Sequence, residues 1–289
     1  MDHTKIGIGV SSIGRFLPWI GMAAGLFEKQ NIAAEVINQQ DEERVVDDIV
    51  AQTTPIGTPN APSLIFSRLS GNDLVIVGGV LNRPAFYLAA GAKISSIDDL
   101  RAKRIGINQP KRMAGMMMLA LLRKSRLNGA AALELVDLGI NDRSLEALRA
   151  GEVDAALLPP EKAFLAEAEG FCIVADTLHL ECQWVPLATT RRYLAANREL
   201  VRKIALIYRE SIRLFKGERR MSVETLAGRL PALRDKPQVL QKCYGVFAEL
   251  FEETLNVSES ALEAILDEVA LQDGRAKNLD RTSLVEHII

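Results

Sequence analysis

Residues 5–36 read KIGIGVSSIGRFLPWIGMAAGLFEKQNIAAEV. The apolar run Ile6–Val10 predicts a strand, Ser11-Ser12-Ile13-Gly14-Arg15 a loop, Phe16–Gln30 a helix and Ala33–Ile37 a second strand. Strand, helix and strand in succession form the unit of an α/β fold, and the segments that follow repeat it. Glu42–Gln52 predicts a helix with Val45, Val46, Ile49 and Val50 on its apolar face. Thr54–Thr58 then reads as a strand, Ala61–Leu69 as a helix and Asp73–Val80 as a strand. The run LVIVGGV at 74–80 does not alternate, which fits a strand buried on both faces of a parallel sheet.

The pattern then restarts. Pro84–Ala90 predicts a strand and Ser95–Leu100 a single helical turn. Strands at Arg104–Asn108, Leu133–Leu138, Val153–Leu158 and Cys172–Ala175 alternate with helices at Met113–Ser125, Ser144–Ala150 and Glu161–Glu169. This second set makes a separate small sheet domain. After Trp184–Thr189 the character changes, and the chain reads almost wholly as helix: Asn197–Lys216, Val223–Arg229, Pro237–Phe251 and Ser258–Leu271, with Asn197 and Ser258 as N-caps.

The 289 residues suffice for about two domains. Lys and Arg total 35 against 37 Asp and Glu, a net charge of −2, which argues against a nucleic-acid partner. No apolar run is long enough to span a membrane. The N-terminus has no charged and apolar leader pattern, so the expectation is a cytoplasmic protein or one whose leader has been removed. Cys172, Cys182 and Cys243 are dispersed and read as packed thiols, with a Cys172–Cys182 pairing left open. No metal or cofactor motif is present, and neither is expected.

Several segments resemble the type II solute-binding proteins of nitrate, sulfonate and taurine ABC importers, within the thiamine-pyrimidine-synthase-like superfamily. They are the opening stretch with its GLFEK, IGTPNAPSLI at 56–65, SSIDDLRAKRIGINQP at 95–110 and LRAGEVDAALLPPEKAFLAEAEGF at 148–171. The resemblance covers roughly residues 5–195. It implies a two-lobed α/β fold with two mixed sheets flanked by helices. Residues 1–82 and 189–289, including the helical tail, would form lobe I, and 83–188 lobe II. A hinge would run through Arg83–Tyr87 and Trp184–Thr189. It further implies a monomer, periplasmic if a leader was removed, that closes on a small solute in the cleft between the lobes and delivers it to an ABC permease and ATPase.

Open sheets bind ligands beyond the carboxyl ends of their strands, and that rule selects the loops. Ser11, Ser12 and Arg15 follow the first strand, where hydroxyls, N–H groups and a guanidinium suit an anion; Phe16 and Trp19 would wall the site or belong to the core. Thr58 and Asn60 follow the third strand, and Asn60 doubles as an N-cap for 61–69. Arg83 pairs with an anionic group or braces the hinge. Gln109 and Arg112, with Lys111, precede the apolar helix of lobe II, where cations oppose the helix dipole and invite an anion. Met113, with Met116–Met118, is either core or wall, and core is favoured. Asn141 and Glu161 complete the set; Glu161 would accept a hydrogen bond from a ligand amine or amide or start its helix, and the helix start is favoured. The expected ligand is a small anionic organic solute, with a heteroaromatic ring such as a pyrimidine precursor as the alternative.

The competing function is a cytoplasmic enzyme on the same fold. Pyrimidine synthases of the superfamily use a cysteine-rich motif with histidine, and desulfinase-like relatives use a Cys in an early loop. Neither is present here, and Cys182 is the remaining candidate nucleophile. The expectation is therefore a binding protein without catalysis.

Overall fold

A computed structural model describes residues 1–9, 12–39, 41–125, 133–139 and 143–289. Ser11 and Asn141 lie outside them. The chain divides into two compact units, Met1–Asn82 with Glu181–Ile289, and Arg83–Leu180. The described strands are β1 (Asp2–Ile8), β2 (Ile32–Asn38), β3 (Ile56–Thr58), β4 (Leu74–Leu81), β5 (Tyr87–Ala90), β6 (Lys103–Ile107), β7 (Leu133–Asp137), β8 (Ala155–Leu158), β9 (Cys172–Asp176) and β10 (Val185–Thr190). In the first unit they order as β2-β1-β3-β10-β4, and in the second as β7-β6-β8-β5-β9.

Both sheets are mixed. In the first, β1 pairs parallel with β2 and β3. β10 returns from the second unit and inserts antiparallel between β3 and β4. All eight residues of β4 are buried, as its unalternating sequence predicts, but its ladder partner is antiparallel, which corrects the parallel reading. The apolar run reports two covered faces and says nothing about the direction of its neighbour. The other edge of β4 is covered by the tail: Ile76 N–H donates to Leu284 O at 2.8 Å and Gly79 N–H to Leu255 O at 2.7 Å. Gly79 is required there, because a Cβ would lie 2.5 Å from Asn256 O.

The first unit opens with α1 (Leu17–Ala23), α2 (Leu26–Lys29), α3 (Glu42–Val50) and α4 (Ala61–Leu69). The single helix expected over 16–30 is instead a 3₁₀ turn at 13–15 followed by α1 and α2. The break falls at Gly25, whose φ of +66° only glycine adopts freely. The second unit carries α5 (Met113–Lys124), α6 (Ser144–Arg149) and α7 (Pro160–Ala168) on its sheet.

The tail holds α8 (Arg191–Ala196), α9 (Arg198–Gly217), α10 (Arg219–Arg229), α11 (Pro237–Leu250) and α12 (Glu259–Ala270). Helix α8 is not among the helices that the sequence predicts; Thr190 caps it, accepting Tyr193 N–H at 3.1 Å. Asn197 sits at the start of α9 but does not cap it. Its Nδ2 donates back to Tyr193 O at 3.1 Å, because the preceding helix has already claimed it. Helix α9 buries Val201, Ile204, Ile207, Ile212 and Phe215, the expected stripe, and packs so closely on α1 that a Cβ at Gly21 would lie 2.8 Å from Ser211 Oγ. Ser258 does cap α12, accepting Ala261 N–H at 3.3 Å. Ser258→Ala is expected to cost about 1 kcal/mol, read as a lower urea midpoint with an unchanged slope. Among the described residues no helix is long and apolar enough to cross a membrane.

Candidate functional site

In the first unit the carboxyl ends of β1 and β3 meet the N-termini of α3 and α4, and the residues there form one buried polar cluster. Arg15, 3% exposed, pairs with Glu42 at 2.9 Å. Its Nε donates to Thr58 O at 3.2 Å, and an Nη2 hydrogen bond of 2.5 Å reaches Asn60 Oδ1. The second Glu42 oxygen accepts Asn60 N–H at 3.0 Å. Glu42 lies flat over Gly9, where a Cβ would fall 2.3–2.4 Å from its carboxylate atoms. Burial pushes the Glu42 pKa up, against the opposing pull of Arg15 and of the Asn60 N–H.

Two sequence readings change here. The charge of Arg15 is met by an internal carboxylate. Asn60 stands at the N-cap position of α4 but its side chain serves Arg15 rather than the helix. Thr58 contributes its carbonyl; its side chain is wholly buried opposite Tyr208, whose phenol burial holds far above its ordinary pKa against the neighbouring Thr58 hydroxyl. Ser12 precedes the 3₁₀ turn and is buried, its carbonyl accepting Arg15 N–H at 2.9 Å. Phe16 and Trp19 form an edge-to-face pair with centroids 4.8 Å apart, both buried. Arg229, at the end of α10, stacks over the Trp19 ring at 4.8 Å. Sequence reasoning missed Glu42 because an acid in the first turn of a helix is ordinary. The signal available was glycine at strand ends, at Gly7, Gly9 and Gly57, where another group approaches the backbone closely.

In the second unit, Asn108 follows β6 and its Oδ1 accepts Ser144 Oγ–H at 2.9 Å. Gln109 O accepts Arg112 N–H at 2.9 Å, and Arg112 occupies the N-cap of α5, half-buried. This loop rests directly on Gly115, where a Cβ would lie 2.3 Å from Gln109 O and 2.5 Å from Asn108 O. Met113 and Met116–Met118 are buried at 2% exposure or less, which places them in the core. Glu161 is buried in the first turn of α7. Arg83 donates from Nη1 to Leu178 O at 3.5 Å, a brace within its own unit.

All three cysteines are free thiols. Burial pushes Cys182 up to about 12, so the one sulfur with a nucleophilic reading stays protonated at neutral pH. Iodoacetamide at about pH 8 is expected to alkylate half-buried Cys172 in the native protein, and to reach Cys182 and Cys243 only after unfolding. Mass spectrometry of the peptides checks this. Among the described residues no group of three or more His, Cys, Asp or Glu is arranged to hold a metal ion.

A family model described as NMT1/THI5 like matches residues 19–216. The chain belongs to the NMT1/THI5-like family. Solved structures with the same fold cover this member almost end to end. The periplasmic aliphatic sulphonate binding protein SsuA of Escherichia coli superposes with a TM-score of 0.81 at 17% identity, covering 95% of this chain and 93% of its own. The alkanesulfonate-binding SsuA of Xanthomonas axonopodis pv. citri, bound to MOPS, gives 0.78 at 19% identity and 99% of both chains. A Candida albicans protein, described as exhibiting the generic periplasmic binding protein fold, gives 0.71 at 11% identity, with 100% and 97% covered. No curated protein sequence matches the chain. The NMT1/THI5-like chain thus has the periplasmic-binding-protein fold, as the sequence resemblance implied.

Proposed function

We propose that the protein is the solute-binding component of an ABC-type importer, taking up a small organic solute without transforming it. The observation that carries this reading is the site chemistry of the fold. The strand-end loops supply hydroxyls, amides and guanidinium groups, and the one candidate nucleophile, Cys182, is held protonated by burial. The two SsuA proteins, one an aliphatic sulphonate binding protein and the other alkanesulfonate-binding, point the same way. The proposed contacts are Ser12, Phe16, Trp19 and Asn60 in the first unit, and Arg83, Gln109, Arg112 and Glu161 in the second. The finer proposals are a periplasmic working place, a permease and ATPase as partners, and a negative group on the solute met by Arg112 and Arg83.

Native mass spectrometry of the purified protein is expected to show a bound small molecule. Calorimetric titration with butanesulfonate, taurine, nitrate and an aminopyrimidine should give saturable binding for at least one. Turnover of any of these without saturable binding would overturn the reading in favour of an enzyme.

A further inference from the structure

The polar cluster of the first unit has the parts of an oxyanion site. Helix α4 presents the Asn60 N–H at its start, Arg15 presents a guanidinium, and Gly9 leaves room for a planar group to lie against the backbone. These are the elements with which helix N-termini and arginines hold carboxylates and sulfonates. The position is already filled. One Glu42 oxygen sits 2.9 Å from Arg15 Nη2 and the other 3.0 Å from Asn60 N. The Arg15 and Glu42 side chains are only 3% and 7% exposed, so the charges cancel inside the protein. A structural ion pair does not need a helix N-terminus and a bare glycine to receive it.

We infer that Glu42 is a built-in occupant of an oxyanion cradle in the first unit, and that the part of the solute meeting this unit is therefore uncharged. Glu42 is then a specificity-determining residue: it refuses a negative group that Arg15 and α4 would otherwise accept. A solute with two anionic ends would be rejected, and one with an uncharged chain or ring beside Phe16 and Trp19 would be taken. This deepens the solute-binding reading and rests on it for its biological meaning, while the cradle itself is tested with simple anions alone.

In Glu42→Ala the cradle is emptied and Arg15 is left without its partner, so the melting temperature falls. Acetate or methanesulfonate at tens of millimolar is expected to restore about 2–4 °C in a saturable manner, as a ligand at several times its Kd does. Chloride at equal ionic strength should restore none of it. Wild type and Glu42→Gln, which refills the space with a neutral amide, should gain clearly less than Glu42→Ala, any gain common to all three reporting the proposed contacts of the second unit and not the cradle. In wild type the Arg15 Nε–H resonance is expected to stay fixed during a methanesulfonate titration, a measurement that does not depend on the variant folding. Equal stabilisation of wild type and variant, a variant deaf to every oxyanion, or a shift of the wild-type Arg15 resonance would each overturn the inference. Loss of the solute-binding reading would show separately, as no bound solute in native mass spectrometry.

Discussion

Arg15→Met is expected to lower stability by about 3–5 kcal/mol near pH 8, because it leaves a buried carboxylate without its counter-charge. Glu42 and Arg15 are both nearly inaccessible, and the guanidinium also serves Thr58 O and Asn60 Oδ1. The loss should depend on pH with a definite sign. The Glu42 pKa is raised above its ordinary 4.5 in the folded protein, chiefly by burial. A group that binds its proton more tightly when folded loses stability as pH rises from the unfolded value through the folded one. Removing Arg15 takes away the largest influence that lowers this pKa, so that window widens in the variant. Urea unfolding should therefore show a deficit that is full near pH 8 and shrinks toward pH 5, as Glu42 takes up a proton. The double variant Arg15→Met with Glu42→Met should recover most of the loss, since an apolar pair of similar volume leaves no charge to solvate. A deficit below about 1 kcal/mol at pH 8 would mean that water reaches the pair, because exposed ion pairs are worth no more than that.

The same pair marks the boundary of what the sequence discloses. The fold was legible because burial imposes period: β4 reads as LVIVGGV and is covered on both faces, and α9 carries its apolar stripe from Val201 to Phe215. Partners across the chain leave no such period. Nothing in LVIVGGV says that β10, over a hundred residues later, lies antiparallel beside it. The loops at the strand ends were found by a rule about sheets, yet their charges were not. Arg15 reads as open to an anion, because its neutraliser, Glu42, stands two helices and a strand further along the chain and has the residue type that any helix start favours. Asn60 and Asn197 show the same limit. Both occupy cap positions, and both spend their side chains elsewhere because a nearer partner is present in three dimensions. Glycines were the one sequence feature that did encode close approach, at Gly9 and Gly115 alike.

Gly115 supplies the other large expected effect. It is the third residue of α5, and its missing side chain is where the loop carrying Asn108 and Gln109 comes to rest. In Gly115→Ala the new methyl would stand 2.3 Å from Gln109 O and 2.5 Å from Asn108 O. These are backbone atoms that no rotamer change can move aside. The loop must lift or the helix must withdraw, and overpacking of this kind costs about 1–3 kcal/mol or more. In an exposed helix the same substitution would stabilise by up to about 1 kcal/mol through propensity, so the sign alone separates close packing from open space. Lifting the loop also breaks the Arg112 N–H bond to Gln109 O and the Ser144 bond to Asn108. Gln109 and Arg112 then lose their placement. The variant is expected to unfold at lower urea and to retain no solute in native mass spectrometry, while its far-ultraviolet circular dichroism stays that of the wild type. A Gly115→Ala protein as stable as wild type, with its solute still bound, would show that the loop does not rest on this glycine, and the proposed contacts at Gln109 and Arg112 would fall with it.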